Sequence, residues 1–101
     1  MERIQGKHTQ GWRMPDGAVY VGIPTGWANH HAIYIYGWKK AAALFREDVA
    51  KMPEAEREAW LAPLRQATEL MCWCSLDKPC HADVLIEYLN RPASTVEGLK
   101  E

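Results

Sequence analysis

The segment running from Leu70 to Leu89 changes periodicity across Pro79, and that change fixes more of the architecture than any other feature of the chain. Before the proline stands a short apolar run, Leu70-Met71-Cys72-Trp73; after it Val84, Leu85, Tyr88 and Leu89 recur at helical spacing. Proline lacks the N–H that a helix interior or a central strand requires, so the two patterns meet at a strand-loop-helix corner. Such corners are where small α/β domains place chemistry. This one, Cys72-Trp73-Cys74-Ser75-Leu76-Asp77-Lys78-Pro79-Cys80-His81, carries all three cysteines of the chain and one of its four histidines.

The rest of the sequence extends the corner into a domain. Arg3 to Pro15 is polar and punctuated by Gly6 and Gly11, which predicts an irregular or edge segment. Asp16-Gly17 signals a turn before Ala18-Val19-Tyr20-Val21-Gly22, a first strand. A loop with Pro24, Gly26 and Asn29 follows, and His31 to Tyr36 alternates Ile33 and Ile35 with Tyr34 and Tyr36, predicting a second strand. From Lys39 the spacing of Leu44, Phe45, Val49 and Met52 is helical. Pro53 suits the first turn of a second helix, with Glu54 and Glu56 where the helix dipole favours carboxylates, and Pro63 ends it. Thr68 to Trp73 reads as the next strand and Ala82 to Leu89 as the last helix. The expected fold is a compact Rossmann-like α/β domain of two or three layers, with a short, partly parallel sheet and about three helices. It forms one domain over residues 1–101, with its core in 11–90 and a tail from Arg91.

Composition narrows the function classes. With 12 basic and 13 acidic residues there is no cationic excess to displace counterions, so nucleic-acid binding is unsupported. No apolar run approaches the roughly 20 residues that span a bilayer, and Met1-Glu2-Arg3 leads into no signal-peptide core; the expected location is cytoplasmic. An odd number of clustered cysteines fits thiols, a metal site or a reactive group better than a disulfide framework.

Several stretches together carry a family resemblance: Gly11-Trp12-Arg13-Met14-Pro15, Ala18-Val19-Tyr20-Val21-Gly22, Pro24-Thr25 with Trp27 and Asn29, Pro63-Leu64-Arg65, Cys72-Trp73-Cys74, and Pro79-Cys80-His81-Ala82-Asp83-Val84-Leu85. From about Gly11 to Asn90 the chain resembles a family of small bacterial and phage domains of unknown function, whose pattern runs approximately GWRMP, AVYVGRPTxWGNPF and CWCxxxxPCHADVL. The resemblance implies no established activity. More loosely, the corner is similar to another uncharacterised family with a Cys-His pair at a helix start, which implies a Rossmann-like fold by analogy. Ile23 stands where the pattern has Arg, and Ala28-Asn29-His30-His31 where it has Gly-Asn-Pro-Phe. Losing a guanidinium at the mouth of a strand removes an anchor for phosphate or carboxylate, so the ligand against that loop is expected to be neutral or singly anionic.

Three chemical readings fit the corner. Cys72, Cys74, Cys80 and His81 could bind zinc as a Cys3His set. The adjacency of Cys80 and His81 is awkward for that, so the expectation is no required cofactor and no zinc dependence of folding. Alternatively Cys80 or Cys74 is a nucleophile near a helix N-terminus, with His81 moving a proton and Asp83 orienting it. Thirdly, the loop 74–81, through backbone N–H groups, Cys74 and the His81 ring, is one wall of a pocket for a nucleotide-like or phosphorylated small molecule. The opposite wall would be the loop 22–31, with Thr25 and Asn29 as hydrogen-bonding groups and Trp27 as a stacking face. Arg13 is expected nearby as an anion anchor. Consecutive His30 and His31 face opposite ways on an extended segment and do not suit joint metal ligation. Against all three stands a purely structural alternative: Cys72 and Cys80 small and buried, Trp73 and Trp27 in the core, Asn29 stabilising its own turn, and Asp83 a helix cap. Binding of the small molecule is the leading expectation, an enzyme acting on it through Cys80 and His81 the next. An adaptor docking on a host protein is the third, and a homo-oligomer is compatible with each.

Overall fold

The computed structural model describes residues 1–91. The chain runs β1 (Glu2–Gln5), β2 (Ala18–Tyr20), α1 (Ile33–Lys51), α2 (Glu54–Leu61), a short 3-10 turn (Ala62–Leu64), β3 (Glu69–Cys72) and α3 (His81–Leu89). The strands form one parallel sheet in the order β1-β3-β2. Leu70 on β3 faces Arg3 on one side and Val19 on the other. A strand buried on both faces should be apolar along its length rather than alternating, and Leu70, Met71 and Cys72 are all buried. The architecture is thus a small α/β fold with three helices on a three-stranded parallel sheet.

The second and third helices start where their sequence dictates. Pro53 precedes α2, whose first turn holds Glu54 and Glu56; the helix gives way to the 3-10 turn that contains Pro63. Cys80 is the N-cap of α3, and its N–H donates to the carboxylate of Asp83 three residues on, at 3.0 Å. The core joins Val21, Phe45, Val49, Leu61, Leu64 and Leu70 to Val84 and Leu85 of α3. No helix among the described residues is long and apolar enough to cross a membrane.

Two elements differ from the sequence reading. The segment His31–Tyr36, expected as a strand, lies in a loop and the opening turns of α1. The Ile/Tyr alternation does not separate a buried from a wet face: Ile33, Tyr34, Ile35 and Tyr36 are all exposed. These turns are set off from the remaining helix by Gly37, at φ 83° and ψ 164°, a conformation essentially reserved for glycine. The third strand is instead β1, an edge strand, which agrees with the edge alternative for the polar N-terminal segment but lies upstream of the expected core at 11–90. Gly6 continues its ladder by donating to the Cys72 carbonyl at 2.9 Å. A Cβ there would lie 1.9 Å from the Met71 terminal methyl and 2.7 Å from the Trp73 ring, so any larger residue requires those two side chains to move. Residues 92–101, most of the expected tail, lie outside the described residues.

Candidate functional site

Because the strands are parallel, β2 and β3 end on the same edge of the sheet, at Tyr20 and Cys72. The loops that leave them enclose a cavity of about 690 Å³, within the size range of small-molecule pockets. Thr25 and Asn29 from the first loop and Cys74 and His81 from the corner line it, together with Cys72 and Cys80. The first turns of α1 close the third side with Tyr34 and Trp38.

Trp27 does not line the cavity. It packs against the core, and its indole N–H donates to the Trp60 carbonyl at 2.9 Å while the Trp60 indole donates to the Gly26 carbonyl at 3.0 Å. This reciprocal pair ties the loop to α2. Arg13 is exposed and likewise outside the cavity lining. Asn29 stands on the wall but both ends of its amide are engaged, Nδ2 donating to the Ala41 carbonyl at 3.0 Å and Oδ1 accepting from the His31 N–H at 2.9 Å. His31 in turn meets the Asp48 carboxylate at 2.7 Å, leaving His30 exposed beside it.

At the corner, Cys72 closes β3, Cys80 caps α3, and Cys74 sits between them. The three Sγ atoms lie within 4.8 Å of one another, Cys72 and Cys74 at 3.7 Å. All three are free thiols. Hydrogen bonds from the Cys74 and Cys80 thiols hold Cys72 well below the ordinary thiol range; the bond to Cys72, with burial, pushes Cys74 up to about 11, and the bonds to Cys72 and Cys74, with burial, push Cys80 up.

His81 is buried, edge-on to Phe45 at 5.3 Å, and its Nε2 meets the Val21 carbonyl at 2.8 Å. A carbonyl only accepts, so Nε2 carries a proton toward it, and Nδ1 lies 3.6 Å from Cys80 Sγ. His81 is not part of the compact sulfur group. Asp83 acts on the backbone of Cys80 and not on the imidazole. One of its oxygens accepts the cap N–H, and the other accepts from Arg3 Nε at 2.9 Å. Trp73 is not a core residue: it is 43% exposed and stacks on His8 at 4.5 Å.

Sequence reasoning missed Arg3, whose buried guanidinium gathers the corner. Its Nη2 donates to the Lys78 carbonyl at 2.8 Å, and longer bonds reach the carbonyls of Cys74, Ser75 and Leu76. It missed also a second, more open groove of about 700 Å³ lined by Lys39, Lys40 and Lys78. The groove shares Trp38 and Pro79 with the first cavity. The Trp38-Lys39-Lys40 run carried a signal for it, an aromatic followed by paired cations, whereas nothing local distinguishes Arg3.

Neither the curated proteins nor the solved structures give a match to this chain. A family model matches it over residues 4–91, from β1 through the end of α3, a span that includes both loops and the cysteine cluster. The chain belongs to the family described as Domain of unknown function (DUF4326).

Proposed function

We propose that the domain binds a nucleotide-like small molecule, its planar ring in the cavity and its phosphate in the adjoining groove. The observation that carries this reading is the continuity of two unlike surfaces across Trp38 and Pro79. The cavity offers the aromatic groups of Tyr34 and Trp38, and its lining among the described residues contains no Lys or Arg, which suits an uncharged ring. The groove offers three ammonium groups against one carboxylate, that of Asp77, a cationic excess that suits a phosphate. The lysines thereby take the part left open by Ile23, which has no charge to offer an anion.

The test is a set of NMR titrations of the full chain with adenosine, guanosine, cytidine and uridine and with their 5′-monophosphates. At least one monophosphate should bind about tenfold more tightly than its nucleoside, equivalent to about 1.4 kcal/mol. Lys39→Gln with Lys78→Gln should erase that difference, and Ala42→Trp, which fills the cavity wall, should abolish both. The reading fails if no member of the set binds, or if binding survives Ala42→Trp unchanged.

A second reading, chemistry on the same ligand, is favoured by the 3.6 Å approach of His81 Nδ1 to Cys80 Sγ. Cys80 is buried and its thiol is pushed up by its bond to Cys72, so it does not rest as a nucleophile, and the proton-transferring group of this reading is His81, positioned by Cys80. Turnover of a bound monophosphate that stops in Cys80→Ser while binding persists would support it; unchanged turnover in that variant would remove it.

A further inference from the structure

The cysteine cluster has the geometry of a metal site. Thiolates at the corners of a tetrahedron around zinc, with Zn–S near 2.3 Å, stand about 3.8 Å apart. Cys72 and Cys74 are at 3.7 Å, and Cys80 completes a group within 4.8 Å. We propose that Cys72, Cys74 and Cys80 bind one zinc-class cation and leave its fourth position open to the cavity. Thiolate donors select a soft or borderline ion rather than magnesium or calcium.

Each donor is held by something other than the metal. Cys72 is fixed by the ladder of the central strand, Cys80 by its cap to Asp83, and Cys74 by the loop whose carbonyls Arg3 gathers. A prebuilt donor set means that metal removal leaves the fold standing, unlike a zinc finger, whose ligands come together only on binding. Three thiolates around a divalent cation also leave one net negative charge. The buried Arg3 guanidinium, bonded to the Cys74 carbonyl, lies where it offsets that charge. His81 supplies no fourth ligand here, since it lies outside the compact group. All three cysteines line the cavity, the side from which a ligand would reach the fourth position. Three protein donors with one open position is the arrangement of reactive rather than purely structural zinc. Metal binding itself does not depend on what occupies the cavity.

The experiment uses the reduced full chain, stripped with a chelator and titrated with cobalt(II) and then zinc(II). One cobalt per chain should appear with the intense sulfur-to-cobalt charge-transfer absorption of thiolate ligation, and one equivalent of zinc should displace it. Loss of even outer-shell partners weakens metal sites about 10–100-fold, so removing one of three ligands in Cys74→Ser should weaken binding by more than roughly 100-fold. Far-UV circular dichroism should be the same with and without metal. The proposal is overturned if no charge-transfer band appears, if Cys74→Ser binds as tightly as the parent, or if chelation unfolds the chain. Nucleotide titrations of the metal-free protein report on the cavity separately, so failure of one proposal does not imply failure of the other.

Discussion

Replacing Arg3 with Met should weaken the fold more than any other single change at the surface of the sheet. Methionine keeps much of the buried stem and removes the guanidinium, whose side chain is only 7% exposed. Two of its bonds are short, to Asp83 at 2.9 Å and to the Lys78 carbonyl at 2.8 Å; those to Cys74, Ser75 and Leu76 are 3.3–3.4 Å. Hydrogen bonds to a charged group contribute about 1.5–3 kcal/mol each, so the short pair alone suggests about 3–6 kcal/mol. The Asp83 side chain is 47% exposed and regains water when its partner leaves, which places the expected loss near the bottom of that range, at about 3 kcal/mol. A domain of this size holds about 5–15 kcal/mol in total, so the variant folds but unfolds early. Urea titration followed by tryptophan fluorescence and far-UV circular dichroism measures the effect. With a slope of about 1–3 kcal/mol per molar, the midpoint should fall by about 1–3 M without a change in slope. Arg3→Lys keeps the charge but has no planar fork to span several carbonyls, and should recover less than half. An Arg3→Met midpoint corresponding to a loss under about 0.5 kcal/mol, the range of ordinary surface substitutions, would refute the clasp.

Two further outcomes follow from the loops and the kink. Gly37→Ala should cost about 1–3 kcal/mol in thermal unfolding through backbone strain alone, because a Cβ there meets nothing within 4 Å; a neutral result would show that the first turns of α1 can rewind. Trp27→Phe should lose about 1 kcal/mol, the worth of the bond to the Trp60 carbonyl, and Trp27→Ala about 3 kcal/mol, both in urea unfolding. Equal effects for the two would mean that the indole N–H, not packing, holds the loop.

The corner was legible because its signals are local. Pro79, the capping pair of Cys80 and Asp83 and the stripe of Val84 and Leu85 lie within one short stretch, and each acts on the backbone beside it. The same holds for Pro53 and Pro63 around α2. The alternating run at His31–Tyr36 misled because a period of two marks a strand only when one face is buried, and Tyr34 at 90% and Ile35 at 65% exposure bury neither. β1 was hidden for the opposite reason: its four residues become a strand through pairing with Glu69–Cys72, far along the chain. The cavity shows both cases. Thr25, Asn29, Cys74 and His81 were placed on it by chain topology, which two strand-ending loops suffice to give. Trp27 pointed elsewhere because its indole N–H finds a carbonyl on α2, a preference that no spacing rule reads.

The strand order has a consequence for how this chain acquires its shape. β1 and β2 come first in the sequence, yet neither touches the other in the sheet; both wait for β3 between them. During synthesis the two early strands have no partner until Cys72 has left the ribosome, and Arg3 closes on Asp83 across 80 residues only after that. Folding is therefore a late, collective event governed by long-range closure and not a stepwise addition of hairpins. Until it happens the apolar central strand, Leu70-Met71-Cys72, is the segment most exposed to pairing with the wrong neighbour.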